Sequence, residues 1–115
     1  MSLHSILESK LDNTDLNFTQ NINDGICIIS VKGRIDSNNA DLLLSKLEEA
    51  LEEKQKTILL NMSRVDYLSS IGIRVILKIY KQANEIGSSF SIERPSEIVK
   101  NVLGILALQE MLVKN

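Results

Sequence analysis

One stretch limits the architecture of this chain more than any other: Thr57 to Gly87, TILLNMSRVDYLSSIGIRVILKIYKQANEIG. Thr57 to Met62 is a near-continuous aliphatic run, the pattern of a strand covered on both faces. Ser63 to Leu68 is polar enough to read as a loop. From Ser70 to Ile86 apolar residues recur on most of a helical circumference, at Ile71, Val75, Ile76, Ile79, Tyr80 and Ala83. Gly87 then stands where a left-handed residue would stop the helix. A buried strand that runs through a short loop into a long apolar helix belongs to an α/β domain.

The rest of the chain extends that unit on both sides. Asp15 to Asn21 reads as a first strand and Ile26 to Lys32 as a second. Asn23-Asp24-Gly25 lies between them, a strong hairpin signal, so these two strands should pair antiparallel. Gly33-Arg34-Ile35-Asp36 carries the chain off the sheet. Ser37 or Asn38 caps a helix to about Glu53, with Leu43, Leu44, Leu47, Ala50 and Leu51 as its buried stripe. Ser89 to Ile92 is a fourth strand. Pro95 precedes a helix from Ser96 to Leu106, which Gly104 breaks before a last helical turn, Ala107 to Leu112. The order is hairpin, then α, β, α, β, α. The expected fold is a single α/β domain whose mixed, mostly parallel sheet starts with an antiparallel hairpin and is packed with interspersed helices. Residues 1–14 form an N-terminal extension before the domain of residues 15–115. Leu3, Ile6, Leu7 and Leu11 give that extension a helical spacing, which suits an amphipathic helix; a frayed extension is the alternative.

Composition removes several function classes. With 115 residues the chain is one domain by length. Thirteen basic and fifteen acidic residues leave a net charge of −2, against the basic surplus of a nucleic-acid binder. No apolar stretch reaches the length of a membrane span, and the first ten residues do not have the layout of a signal peptide. These features predict a cytoplasmic protein that contacts neither membrane nor nucleic acid. The single cysteine, Cys27, sits in an apolar run, and the single histidine, His4, is near the terminus. That leaves no metal cluster and no activated thiol, so neither metal nor cofactor is expected. Neither a nucleotide-binding glycine loop nor a G-x-S-x-G elbow is present. A phosphoaspartate receiver of similar size would need paired acidic residues beside a strand-end aspartate, and here the strand carries Asn61. The chain therefore reads as a protein without enzymatic activity.

What remains is the segment Ser63 to Ile73. A hydroxyl at a helix start can cap the helix, and it can also carry a phosphate that the helix end tolerates. Gly72, in the first turn, costs about 0.5–1 kcal/mol relative to alanine, so something, either another element or a partner, approaches the backbone closely there.

Taken with their surroundings, these residues resemble a known family. VDYLSSIGIRVILKIYK is similar to the signature of the STAS domain of anti-sigma factor antagonists. VKGRID, with Gly33 and Asp36, is similar to that family's turn after the second strand, and ILLNMS to its aliphatic strand. IGSSF and IVKNVLGILALQEML follow in the family's order, so the resemblance covers about residues 16–112. It implies that Ser70 is the serine phosphorylated by the partner. Ser69 stands where aspartate is common and becomes a competing acceptor. Asp36 matches a docking aspartate, and Gly72 is the signature glycine. The implied docking surface comprises Asp36, Asp66, Tyr67, Leu68, Ser69, Gly72 and Ile73. Unphosphorylated, the protein would bind an anti-sigma factor with serine kinase activity and so free a sigma factor for transcription. A serine phosphatase would reset it. The alternative use of the fold is an unphosphorylated scaffold subunit of a stress-signalling or transport assembly. Exposed apolar residues around Tyr67, Leu68 and Ile73 suit either partner docking or a homodimer.

Overall fold

The computed structural model describes residues 16–113. The helical spacing at Leu3, Ile6, Leu7 and Leu11 therefore lies outside the described residues. Strands β1 (Asn17–Asn23) and β2 (Ile26–Ile35) form the expected antiparallel hairpin. Asp24 and Gly25 both take positive φ, 51° and 80°, the left-handed pair that a two-residue hairpin turn requires. Helix α1 (Ala40–Glu52), strand β3 (Thr57–Leu68), helix α2 (Ser70–Glu85), strand β4 (Ser89–Glu93), helix α3 (Glu97–Ile105) and a 3-10 turn (Gln109–Met111) follow. The sheet order is β1-β2-β3-β4, with β2, β3 and β4 parallel. Both crossovers step the same way along the sheet. Right-handed connection then places α1 and α2 on one face, where they pack on each other. The core between them is aliphatic: Ile29, Leu43, Leu47, Ile58, Leu60, Ile76 and Ile79 are all essentially inaccessible.

Several local expectations are corrected. β2 does not leave the sheet at Gly33 but pairs through Ile35, and β3 does not end at Met62 but runs twelve residues to Leu68. Two bulges explain why. Ser30 pairs with Asn61 and Lys32 with Arg64; Gly33 pairs with Val65 and Arg34 with Tyr67. Each step leaves one extra residue on β3, so its buried positions become Met62, Val65 and Leu68, every third residue instead of every second. The first bulge is held by Asn61, whose Oδ1 accepts from the Ser63 amide at 3.0 Å and from Ser63 Oγ at 2.8 Å. β3 outruns β4, and Ser96 takes over two of its carbonyls. The Ser96 amide donates to Met62 O at 3.0 Å, and Ser96 Oγ to Val65 O at 2.6 Å.

The helix boundaries are also adjusted. Asn39, not Ser37 or Asn38, is the N-cap of α1, because Ala40 already belongs to the buried stripe. Leu44 is only half-buried. Gly104 does not break α3, which runs on to Ile105. α2 ends as expected at Gly87, φ +80°, where the Ser88 amide donates to Ala83 O at 2.9 Å. α3 ends by the same hydrogen-bond pattern, Leu108 N to Leu103 O at 2.8 Å, but with Ala107 in the left-handed position, φ +55°.

Candidate functional site

The site is built where β2 and β3 end side by side. Ile35 pairs with Leu68, and the Ser69 amide donates to Ile35 O at 2.9 Å. β2 then turns through Asp36–Asn39 into α1, while β3 passes through Ser69 alone into α2. Both loops therefore leave the carboxyl ends of neighbouring parallel strands, the position at which α/β sheets present their binding groups. Asp36 and Ser70, 34 positions apart in sequence by their numbers, are brought to one edge by this pairing.

The Asp36 loop is fixed from inside. Asp36 Oδ1 accepts from the Asn38 amide at 2.9 Å, closing a local turn. Asn39 is 1% exposed and binds the loop at both ends of its side chain. Its Oδ1 accepts from the Asp36 amide at 3.0 Å, and its Nδ2 donates to Arg34 O at 2.6 Å. Sequence reasoning missed Asn39. The usable signal was that Ala40 continues the spacing of Leu43 and Leu47, which makes the residue before it the cap.

The two serines have different surroundings. Ser69 is the N-cap of α2, with extended backbone, and its Oγ accepts from the Gly72 amide at 3.2 Å. Its carbonyl accepts from the Ile73 amide at 3.1 Å. Ser70 is the first helical residue and is exposed, and no side-chain hydrogen bond ties it to another described residue. The first turn of α2 contains no acidic residue. A phosphate on Ser70 would meet the positive end of the helix dipole, stabilising by about 0.3–1 kcal/mol.

Around Ser70 the surface is mixed. Tyr67 and Ile71 are 38% and 39% exposed, and the Arg34 guanidinium lies 4.3 Å from the Tyr67 ring centre. Arg34, Asp36, Asp66 and Arg74, all at least partly accessible, put both signs of charge on the elements that meet at this edge. Three residues expected at this surface lie beneath it. Leu68 and Ile73 are buried, and so is Gly72, so the apolar surface is supplied by Tyr67 and Ile71 instead. The close approach at Gly72 comes from the domain itself. A Cβ there would meet Ile35 Cγ2 at 2.5 Å and Leu68 Cδ1 at 2.9 Å.

Other chemistry is distant from this edge. Cys27 is fully buried near the start of β2, at the opposite end of the sheet; burial, and secondarily the negative charge of Glu53, pushes its thiol pKa up. Among the described residues no group of three or more His, Cys, Asp or Glu could hold a metal ion. Among them, too, no helix is long and apolar enough to cross a membrane. A cleft of about 790 Å³ between the C-terminal ends of α1 and α2 has mixed charge, with Glu48, Glu52, Lys54 and Lys56 in its wall, and lies away from Ser70.

Comparison with known proteins agrees with this fold. The sequence profile of the STAS domain matches residues 17–114. BtrV of Bordetella bronchiseptica, named as a candidate anti-sigma factor antagonist, is 33% identical over 63 residues, 55% of this chain and 54% of its own. The anti-sigma F factor antagonist of Paenibacillus polymyxa is 28% identical over 69 residues, 59% of each chain. The chain thus spans little more than half the length of these two relatives. Among solved structures, the anti-sigma factor antagonist SpoIIAA, a Bacillus cell fate determinant, aligns in its unphosphorylated form with a TM-score of 0.73. That alignment is 18% identical and covers 86% of this chain and 88% of SpoIIAA. At that identity the likeness is one of fold, and it bears out the single α/β domain with a hairpin-led mixed sheet.

Proposed function

The chain belongs to the STAS domain family, and from that premise we propose that it is an anti-sigma factor antagonist switched by phosphorylation of Ser70. The observation that carries this reading is the division of labour between the serines. Ser69 supplies the helix cap, which leaves the exposed Ser70 hydroxyl available to a kinase without disturbing the helix start. This also disfavours Ser69 as the acceptor, since its oxygen is already engaged. Support comes from SpoIIAA, which has the same fold and is known in both unphosphorylated and phosphorylated forms.

In the unphosphorylated state the edge formed by Asp36, Asp66, Tyr67, Ser70 and Ile71 presents a near-neutral, partly apolar surface. It docks an anti-sigma factor with serine kinase activity in the cytoplasm, and the sigma factor is released. Leu68, Gly72 and Ile73 act from beneath by setting the position of the α2 start. Transfer of a phosphoryl group to Ser70 Oγ adds about −1.5 to −2 charges. That addition concentrates negative charge at one exposed point of the edge. Desolvating a dianion without a matching cation is costly, so docking is lost while the fold is kept. A serine phosphatase restores the first state. In this scheme the protein is bound and modified but catalyses nothing.

The test is co-purification of the full chain with its cognate anti-sigma factor. Ser70→Ala should retain the complex under all conditions, and Ser70→Asp and Ser70→Glu should lose it. Equal binding by all three variants would exclude the switch and favour the unphosphorylated scaffold.

A further inference from the structure

The two edges of the sheet are protected unequally. The β4 edge is five residues long, ends on the charged Glu93 and is partly covered: Leu112 bridges to Ile92, and the Val113 amide donates to Ile92 O at 2.9 Å. Short length, charge and cover are the usual means of keeping a strand edge from pairing with another chain. The β1 edge has none of them among the described residues. It is seven residues long, NFTQNIN, without charge or proline, and it pairs with β2 in unbroken register. Each of the other three strands carries at least one charged residue. The free main-chain groups of β1 fall at fixed positions. Asp24 and Gly25 form the two-residue turn, whose bonded ends are Asn23 O and Ile26 N. Alternation from there turns the N–H and C=O of Asn21, Thr19 and Asn17 toward β2, and those of Ile22, Gln20 and Phe18 outward. These outward positions are symmetric about Gln20, and so are the side chains: Phe18 mirrors Ile22, Thr19 mirrors Asn21, and Asn17 mirrors Asn23. Phe18 and Ile22 lie on the helix side, in the rows of the buried Val31 and Cys27, yet Ile22 is 46% exposed.

We propose that β1 pairs antiparallel with β1 of a second copy of this chain, about a two-fold axis at Gln20. Gln20 then opposes Gln20 of the partner subunit, and Phe18 opposes Ile22 of the partner subunit on both sides of the axis. All of these are positions with outward main-chain groups, so the pairing makes about six hydrogen bonds. The aromatic–aliphatic pairs close over the exposed Ile22. The symmetry of the strand selects a second copy over an unrelated peptide, since a two-fold contact must match a surface to itself. Charge agrees: a two-fold sets like charges together near its axis, and β1 has none to repel. The contact is about 24 Å long and about 10 Å thick. That is well under the roughly 800 Å² per partner of a standard interface, so the dimer is weak and reversible. Because the paired strands run antiparallel, the two Ser70 edges lie at opposite ends of the joined sheet, and both stay open to docking.

The experiment is sedimentation equilibrium of the full chain from about 10 μM to about 1 mM, with amide exchange followed by NMR over the same range. The mass should rise from the 12.9 kDa of one chain toward twice that value. Exchange at Phe18, Gln20 and Ile22 should slow as the mass rises, and change least at Thr19 and Asn21, which already bond to β2. Gln20→Pro removes an outward N–H, a change that an edge strand tolerates. It should stay monomeric with the amide shifts of α1 and α2 in place. Gln20→Lys and Gln20→Glu set like charges across the axis, and each should weaken the dimer by up to about fivefold. Their 1:1 mixture should associate more tightly than either alone. A mass of 12.9 kDa throughout would overturn the proposal. So would a dimer that Gln20→Pro leaves intact, whose interface would lie elsewhere. Slow exchange at Phe18, Gln20 and Ile22 in the dilute monomer would overturn it too, since the chain itself would then cover the edge.

Discussion

Gly72→Ala is the substitution whose effect the structure specifies most closely. In an unconstrained helix the change would stabilise, by about 0.5–1 kcal/mol, through lower backbone entropy in the unfolded chain. Here the new methyl would lie 2.5 Å from Ile35 Cγ2 and 2.9 Å from Leu68 Cδ1, where carbon atoms need about 3.5 Å or more. Neither neighbour can retreat into solvent: Ile35 is 0% and Leu68 6% exposed, and both terminate paired strands. Overpacking of this kind costs about 1–3 kcal/mol, and two simultaneous overlaps put it in the upper half of that range. The net expectation is a loss of about 1–2 kcal/mol, or roughly 4–8 °C in Tm for a domain of 115 residues. Urea titration followed by circular dichroism at helical wavelengths measures it. A double-mutant cycle with Ile35→Ala isolates the cause, because removing Cγ2 should lower the cost of Gly72→Ala by about 1 kcal/mol. A Gly72→Ala protein as stable as the parent, or a cycle with no coupling, would refute the packing account of this glycine.

Asn39→Ala removes both hydrogen bonds that fix the Asp36 loop, leaving the Asp36 amide and the Arg34 carbonyl without that partner. It should cost about 1–3 kcal/mol and speed hydrogen exchange at Asp36 and Asn38 more than in α3. Ala107→Gly, at φ +55°, should stabilise by about 0.5–1 kcal/mol, read as a higher urea midpoint at unchanged slope. Cys27 is fully buried and its thiol pKa is raised, so the native chain holds that proton more tightly than the unfolded one. The stability this contributes is complete below the ordinary thiol range and is lost as pH rises above about 9. Urea midpoints between pH 7 and 10 should therefore fall more steeply for the parent than for Cys27→Ala, and a thiol reagent at pH 8 should react only after denaturant is added.

The elements that could be read from the sequence are those with a single period. The Asn23-Asp24-Gly25 turn, the stripe of α2 and the Gly87 stop each follow from one local rule. β3 does not, because its two bulges turn alternation into a spacing of three at Met62, Val65 and Leu68, which looks like a loop until β2 is set beside it. The same bulged stretch sets the two loops of the site together, so the pairing of Ile35 with Leu68 could not be read either. Ser70 could be picked out from its resemblance to a known signature, whereas burial of Leu68 and Ile73 depends on contacts across the sheet. Asn39 shows a subtler limit: three polar residues precede α1, and only the register of Ala40 with Leu43 and Leu47 separates the cap from its neighbours.

The central claim is that Ser70, and not Ser69, carries a regulatory phosphate. Quantitative peptide mass spectrometry on the full chain isolated from its own cell, in growth and under stress, tests it most directly. The account predicts phosphate on Ser70 whose occupancy changes between the two conditions, with Ser69 unmodified. Phosphate on Ser69 instead, or neither serine modified in either condition, would contradict it.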